Sequence, residues 1–395
     1  MSMPVNINNG LPNKIIDMIP LRNLLWFLII TNMACSQQPK PIRTKPDKTT
    51  NNISYAKGFA IQYFTNYKKL SVFTAYKEDS NTLDYYLIPK TQSIPDSLKD
   101  KHIIRTPIER IVVTSTTHIP MLELLGKEHT LVGFPNTQYI SSPKTRQLIE
   151  SGQVQELGQA QQLNTEILID LKPELVVGFG VNNTGKIFES IQKMGIPVIF
   201  NSDWLEKTPL GRAEWIRFFG ALYNQDSLAG IRFQEIADRY NQLKKGLQKN
   251  TYKPTVLSGA LFQDTWHLPA GESYVARFIA DAGGDYLWKN TRGNGSLSLS
   301  FESVLDRAKD ADYWIAPGYY SSKRAMLEDT EHYAEFKSFT NGSIYTFANT
   351  KGPTGGILYY EIATTRPDLV LQDFLYILHP ELDKKHSMTF FKQLP

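Results

Sequence analysis

The chain has 395 residues, enough for two or more domains, and is 41% hydrophobic and 21% charged, which is a globular rather than a disordered composition. Its formal charge of +4 is spread along the chain with no Lys/Arg block, so charge points to no nucleic-acid partner. With one cysteine, Cys35, there can be no internal disulfide, and the fold has to rest on its apolar core.

The first element in chain order is the apolar run Leu24–Ile30, with Lys14 and Arg22 upstream. A membrane-spanning helix needs about 20 residues, so this run is too short to span and fits the apolar centre of a secretory signal over 1–34. Ala34 then Cys35 fits a lipobox, in which the thiol takes a diacylglycerol and becomes the new N-terminus; Asn32 departs from the usual aliphatic residue, and Met18 could be the start. The alternative is a plain signal peptide with an incidental cysteine. Residues 35–52 are rich in Pro, Lys and Thr and read as a flexible tether.

From 53 to 105 the chain is β-rich, with strand-like runs KLSVFTAY and LDYYLIP; added strands on the first lobe are expected. Alternation then sets in: strand 111–114, a helix around Met121–Leu125 closed by Gly126, strand LVGF, helix 164–171, strand 175–179, helix 185–194 and strand 198–200. Such βα units imply a mainly parallel sheet, here an N-terminal lobe over 53–208. Residues 209–250 form a linking region. Within it Phe233, Ile236, Tyr240, Leu243 and Leu247 step by 3 and 4, one stripe of a helix over 225–249 that would span roughly 35 Å. The α/β pattern resumes over 251–395 as a C-terminal lobe, with strand TVLSGALF, helices 273–282 and 301–309, strands DYWIAP and SIYTF, and helix 367–378. The fold class is α/β: two Rossmann-like lobes joined by one long helix, with a ligand cleft between them.

Two segments resemble each other, Asn164-Thr-Glu166 before Lys-Pro-Glu-Leu-Val-Val and Ser300-Phe-Glu302 before Asp-Tyr-Trp-Ile. Each carries an N-cap residue and a glutamate in the first helical turn. The helix dipole alone suffices to explain those carboxylates; the sharper reading places one at an exposed corner of each lobe.

These segments, together with RIVVTSTTHIPMLELLG, MGIPVIF, TPLGRAEWIRFFGALYNQ, YVARFIADAGGDYLW and RPDLVLQDFLYILHPEL, make residues 105–395 resemble the substrate-binding proteins of bacterial ABC importers. The class is the one with a rigid helical backbone, used for ferric siderophores, haem and cobalamin. The resemblance implies a monomeric, lipid-anchored protein of the cell envelope or periplasm that is no enzyme, carries no cofactor, and hands an iron or cobalt chelate to a permease and its ATPase. It also implies that Glu166 and Glu302 pair with permease arginines, a contact that steers more than it binds.

In open α/β sheets ligands bind at the carboxyl ends of strands. That rule brings forward Thr117 and His118 after the first strand, Asn183 after the third, and Asn201 to Trp204 after the fourth. In the C-terminal lobe it brings forward Trp266 and His267, Tyr319 and Tyr320, and Lys351. Trp204, Trp266, Tyr319 and Tyr320 could wall a large chelate, with core packing as the competing reading of each. Lys351 or Arg212 could meet an anionic guest, against a structural Arg212–Glu214 pair. His118 is read either as a ligand contact or as a satisfied structural histidine. The seven histidines contain no close pair of metal-ligand spacing, which favours a whole chelate over a bare ion. Gly178-Phe-Gly180 with Gly185 has the wrong spacing for a dinucleotide loop, and no Walker sequence or Gly-x-Ser-x-Gly elbow occurs. A cleft enzyme, for which no nucleophile–base pair can be named, and a surface lipoprotein without transport remain the alternatives.

Overall fold

The computed structural model describes residues 53–73, 82–160, 162–179, 185–247, 252–382 and 386–395. The readings made for the signal run, Cys35, the tether 35–52 and Asn183 lie outside them.

The segment expected to add strands to the first lobe instead closes on itself. Strands β1 (Phe59–Tyr63), β2 (Lys68–Val72), β3 (Leu83–Pro89) and β4 (His102–Thr106) make a separate sheet in that order. β1 to β3 are an antiparallel meander, and β4 runs parallel to β3. Ahead of β1, the backbone is held by two carboxylates. Glu214 accepts the N–H groups of Ser54, Tyr55 and Ala56, and Glu206 those of Lys57 and Gly58. Glu214 is therefore committed to the backbone of residues 54–56 and does not pair with Arg212.

Next come β5 (Ile111–Val113), helix α1 (His118–Leu124), β6 (Leu131–Phe134), β7 (Gln155–Glu156), helix α2 (Thr165–Leu171), β8 (Leu175–Phe179) and β9 (Val198–Asn201). The sheet order is β9-β8-β5-β6-β7, parallel throughout. A parallel sheet is covered on both faces, and alternate residues sort between them. Ile111, Val113, Leu175, Val177 and Ile199 join the main core, while Val112, Val176, Val198 and Phe200 face a second cluster with Leu168, Phe188 and Ile191. This is why these strands read as unbroken apolar runs.

Helices α3 (Pro209–Ala213) and α4 (Ile216–Leu222) lead to α5 (Asp226–Gly246), 21 residues long. Phe233, Ile236 and Tyr240 of the expected stripe are buried. α4 lies close against α5: a Cβ on Gly220 would stand 2.4 Å from that of Ala229, so only glycine permits the approach. The start of α5 is tied to the small sheet by Lys68 and by the Tyr63 hydroxyl, both to Asp226. Its later turns are tied to the C-terminal half: Tyr240 and Lys244 to Asp281, and Arg239 to Asp368. The helix thus touches both halves, as a strut must.

The C-terminal half contains β10 (Thr255–Ser258), β11 (Ala260–Phe262), β12 (Thr265–Pro269), α6 (Tyr274–Asp281), β13 (Asp285–Tyr286), β14 (Ser296–Leu299), α7 (Phe301–Ala308) and β15 (Tyr313–Ile315). It ends with β16 (Ile344–Thr346), α8 (Leu358–Ile362), α9 (Pro367–Leu378) and β17 (Lys392–Gln393). Its main sheet runs β13-β10-β15-β16-β17, parallel except for the last edge. The run TVLSGALF, expected as one strand, breaks at Gly259. That residue has φ +80°, and a Cβ there would stand 1.9 Å from the His267 carbonyl oxygen. The break sends β11 into a second, antiparallel sheet, β11-β12-β14.

Candidate functional site

A hollow of about 450 Å³ opens between the strand ends of the two halves. The N-terminal wall is built by Thr117 at the start of α1, Phe179 at the end of β8, and Asp203 and Trp204 just after β9, with Arg212 of α3 at the edge. Across from it stand His267 to Pro269 on β12, Tyr274 of α6, Asn294 to Ser296 leading into β14, and Tyr359 and Tyr360 of α8. The size falls within the range of small-molecule sites, and concave, mostly apolar walls with a few polar groups are their usual composition.

Several candidate residues meet there and several do not. Thr117 and Trp204 line the hollow, and the Trp204 ring lies 6.1 Å from that of Phe179. His118 does not: it is fully buried below the wall, with Phe219 and Phe179 at 5.4 and 6.2 Å. Burial pushes its imidazole down to about 3, so it is neutral and out of reach of a guest. It shares no surface with His267. Trp266 is likewise core, stacked on Trp314 at 5.3 Å and edge-on to Tyr333. Its strand neighbour His267 is exposed and lines the hollow. Adjacent strand residues point to opposite faces, so only one of the two could face the cleft, and the larger apolar ring goes inward.

Tyr319 is 70% exposed at the rim, with its hydroxyl 2.8 Å from that of Tyr360. Tyr320 turns away from the hollow: its hydroxyl bonds Asp329 and sits 3.3 Å from that of Tyr333. Lys351 is an exposed residue in a bridge with Ile357 and does not line the hollow. The cation that does is Arg212. It donates to the Trp204 carbonyl at 2.9 Å and that of Glu206 at 3.2 Å, and its guanidinium lies 3.9 Å over the Tyr274 ring. Tyr274, Tyr359 and Tyr360 were missed from sequence. They sit on helices, and strand-end reasoning cannot find them; the Tyr359-Tyr360 doublet next to a short glycine-rich loop was the available signal.

The Lys351 loop has another place. Glu361 accepts the backbone N–H groups of Ser141 and Ser142 at 2.5 and 3.0 Å, and Thr354 donates to the Gln138 carbonyl at 2.7 Å. Gly356 lies so near Tyr139 that a Cβ would meet its carbonyl oxygen at 2.3 Å. A seam thus joins the two halves. Burial pushes the Glu361 carboxyl up to about 7.

Asp203 is fully buried, and neither carboxylate oxygen has a hydrogen bond of good geometry, although the Thr117 hydroxyl and the Trp204 backbone N–H stand close to it. Burial pushes it up to about 6, against the pull of Arg212 and Thr117. The Trp204 Nε1, both nitrogens of His118, the Asn201 amide nitrogen and the Ser202 hydroxyl are also unpartnered. Among the described residues no group of three or more His, Cys, Asp or Glu is placed to hold a metal ion. The corner glutamates are exposed on short helices, Glu166 behind an Asn164 cap and Glu302 behind a Ser300 cap. The backbone at the helix start and Ser300 hold the Glu302 carboxyl below its usual range.

Comparison with known proteins agrees with this architecture. An uncharacterized lipoprotein of Methanocaldococcus jannaschii is 28% identical over 379 residues, 92% of this chain and 88% of its own length. A possible iron-binding (periplasmic solute-binding) protein from Staphylococcus epidermidis superposes with a TM-score of 0.57 at 18% identity, covering 69% of this chain and 100% of that one. A periplasmic heme-binding protein from Pseudomonas aeruginosa gives 0.56 at 17%, covering 73% and 98%. At such identities the two structures speak for the fold alone: two α/β lobes with mainly parallel sheets. Residues 111–350 match the family described as periplasmic binding protein, and the chain belongs to it.

Proposed function

We propose that this protein is the ligand-binding component of an ABC importer, capturing a ferric siderophore-type chelate and delivering it to a membrane permease. The observation that carries the reading is the cleft itself. Aromatic faces from both walls, Phe179, Trp204, Tyr274, Tyr359 and Tyr360, surround one cation, Arg212, and an anionic chelate with flat or greasy surfaces needs such a lining. The likeness to a possible iron-binding protein of Staphylococcus epidermidis supports the ligand class. The lipoprotein relative supports an envelope address with an anchor at Cys35; no described helix is long and apolar enough to cross a membrane. The reading keeps the lobe boundaries proposed from sequence, 53–208 and 251–395 with 209–250 between them.

The test expresses residues 36–395 and titrates ferric siderophores, cobalamin and haem against tryptophan fluorescence. Saturable quenching by a ferric siderophore is the expected result; no response to any of the three ends the reading. Haem is the second reading, favoured by exposed His267 on the cleft wall, which could serve as an axial ligand. A shifted haem absorption band lost in His267→Ala would establish it.

Docking assigns one corner to each lobe, Glu166 and Glu302. Changing both to Ala is expected to abolish uptake while leaving ligand binding intact. Uptake that survives the double change removes both residues from the docking role.

A further inference from the structure

A buried ionisable carboxylate without a partner is a costly feature, because it loses its hydration and gains nothing in return. Folded proteins seldom leave one, and each instance calls for an occupant or an explanation. Asp203 comes close to such a case, and it lines the cleft. The surrounding protein compensates its charge only in part: Arg212, the Thr117 hydroxyl and the Trp204 backbone N–H draw on the carboxylate, and burial still outweighs them. Arg212 spends donors on the carbonyls of Trp204 and Glu206 and lies flat on Tyr274. The neighbouring acid Glu206 is itself occupied, by the N–H groups of Lys57 and Gly58 and by Trp215 Nε1. Lys207 stands 3.9 Å from Glu272. The Asp203 backbone N–H is satisfied by the Asn201 side chain, so the loop is fixed while its carboxylate stays open.

We infer that Asp203, together with the Thr117 hydroxyl, is a subsite for a protonated amine carried by the ligand, set beside Arg212 as the subsite for its anionic part. A neutral donor such as water would satisfy geometry but leave the charge uncompensated. An ammonium group brings three donors and the opposite charge in one small group. Aspartate and arginine in one cleft, not paired with each other, therefore select a guest with both signs of charge. This rests on the chelate reading above and narrows it to chelates that bear a free amine.

Two probes test it, ferrioxamine B, a ferric trihydroxamate with a terminal primary amine, and its N-acetyl derivative, which keeps the iron centre and loses the charge. The wild-type protein is expected to bind the amine form tighter by on the order of tenfold, and Asp203→Asn to bind both forms alike. Equal binding of the two forms by the wild type, or a preference that survives in Asp203→Asn, overturns the subsite while leaving the chelate reading standing. A second arm needs no iron. n-Butylammonium chloride is titrated against thermal unfolding, with sodium chloride of equal strength as control. A rise in Tm in the wild type that is absent in Asp203→Asn supports the subsite even where neither ferric complex binds, in which case the chelate reading alone falls. No difference between the two proteins in either arm overturns it.

Discussion

The two walls of the cleft are finished to different degrees. On the C-terminal side the polar groups of the aromatic residues have partners: Tyr274 donates to the Ala363 carbonyl at 3.2 Å, and Tyr360 meets Tyr319. Trp266, directly behind that wall, donates from Nε1 to the Ser258 carbonyl. On the N-terminal side Asp203, Ser202, Trp204, Asn201 and His118 all carry buried polar atoms without partners. The N-terminal wall thus carries more unsatisfied polar atoms than the C-terminal one, and of these Asp203 and Trp204 line the cleft. Buried carboxylates such as Glu214 and Asp373 are met by several donors each, and against that background the buried Asp203 on the cleft wall stands out.

The hardest blow to this contrast is aimed at Trp266. If it belongs to the finished side, Trp266→Ala removes a core anchor and lowers stability by about 3–5 kcal/mol in denaturant unfolding, with ligand preference unchanged in the folded fraction. Loss of binding at unchanged stability would return Trp266 to the cleft surface. Asp203 gives the opposite sign. Its carboxyl is raised from the ordinary 3.8 to about 6, so the folded state takes up a proton more readily than the unfolded one. The stability this contributes is fully present below about pH 4 and is lost as pH rises through 6. Asp203→Asn should therefore be more stable than wild type at pH 7 by roughly 2–3 kcal/mol, with the difference vanishing near pH 3.5. Glu361 titrates in the same direction between its ordinary 4.5 and about 7, but it does so in both proteins and cancels in the comparison. A neutral-pH loss in Asp203→Asn would mean that the carboxylate has a partner after all.

Tyr274→Phe is a smaller test of the finished wall. It removes one hydrogen bond while keeping the ring under Arg212, and should cost about 1 kcal/mol. Smallest of all is the double change of Glu166 and Glu302 to Ala, for which Tm should stay essentially constant, since both side chains project into solvent. A clear drop in Tm would make them structural residues and weaken the docking proposal.

How far the site could be read from sequence follows from where its residues lie. Thr117, Trp204 and the whole loop after β9 were legible because they follow apolar strands in a βα pattern. His118 was one residue too far into α1, where the first turn already rotates it under the wall. Trp266 and His267, read as loop residues after a strand, lie inside the strand Thr265–Pro269, and they could not be sorted between its two faces without knowing which face was covered. Arg212 was legible as a cation near a helix start, but its neighbours were not: Glu214, its apparent partner, is claimed by residues 54–56, more than 150 positions earlier. The small sheet of β1 to β4 could be recognised as strands, yet its separation from the parallel sheet depends on pairings the local pattern does not encode.

By itself the sequence determined the alternation of strands and helices, the buried stripe of α5 and the family likeness, because these depend on periodicity and order along the chain. Tertiary structure alone decided which side of each strand meets the cleft, how Glu361 and the loop before it fasten the two halves, and that Asp203 is buried without a hydrogen bond of good geometry. The reason is physical: burial and partner choice are set by groups brought together from distant parts of the chain, and no local pattern carries that information.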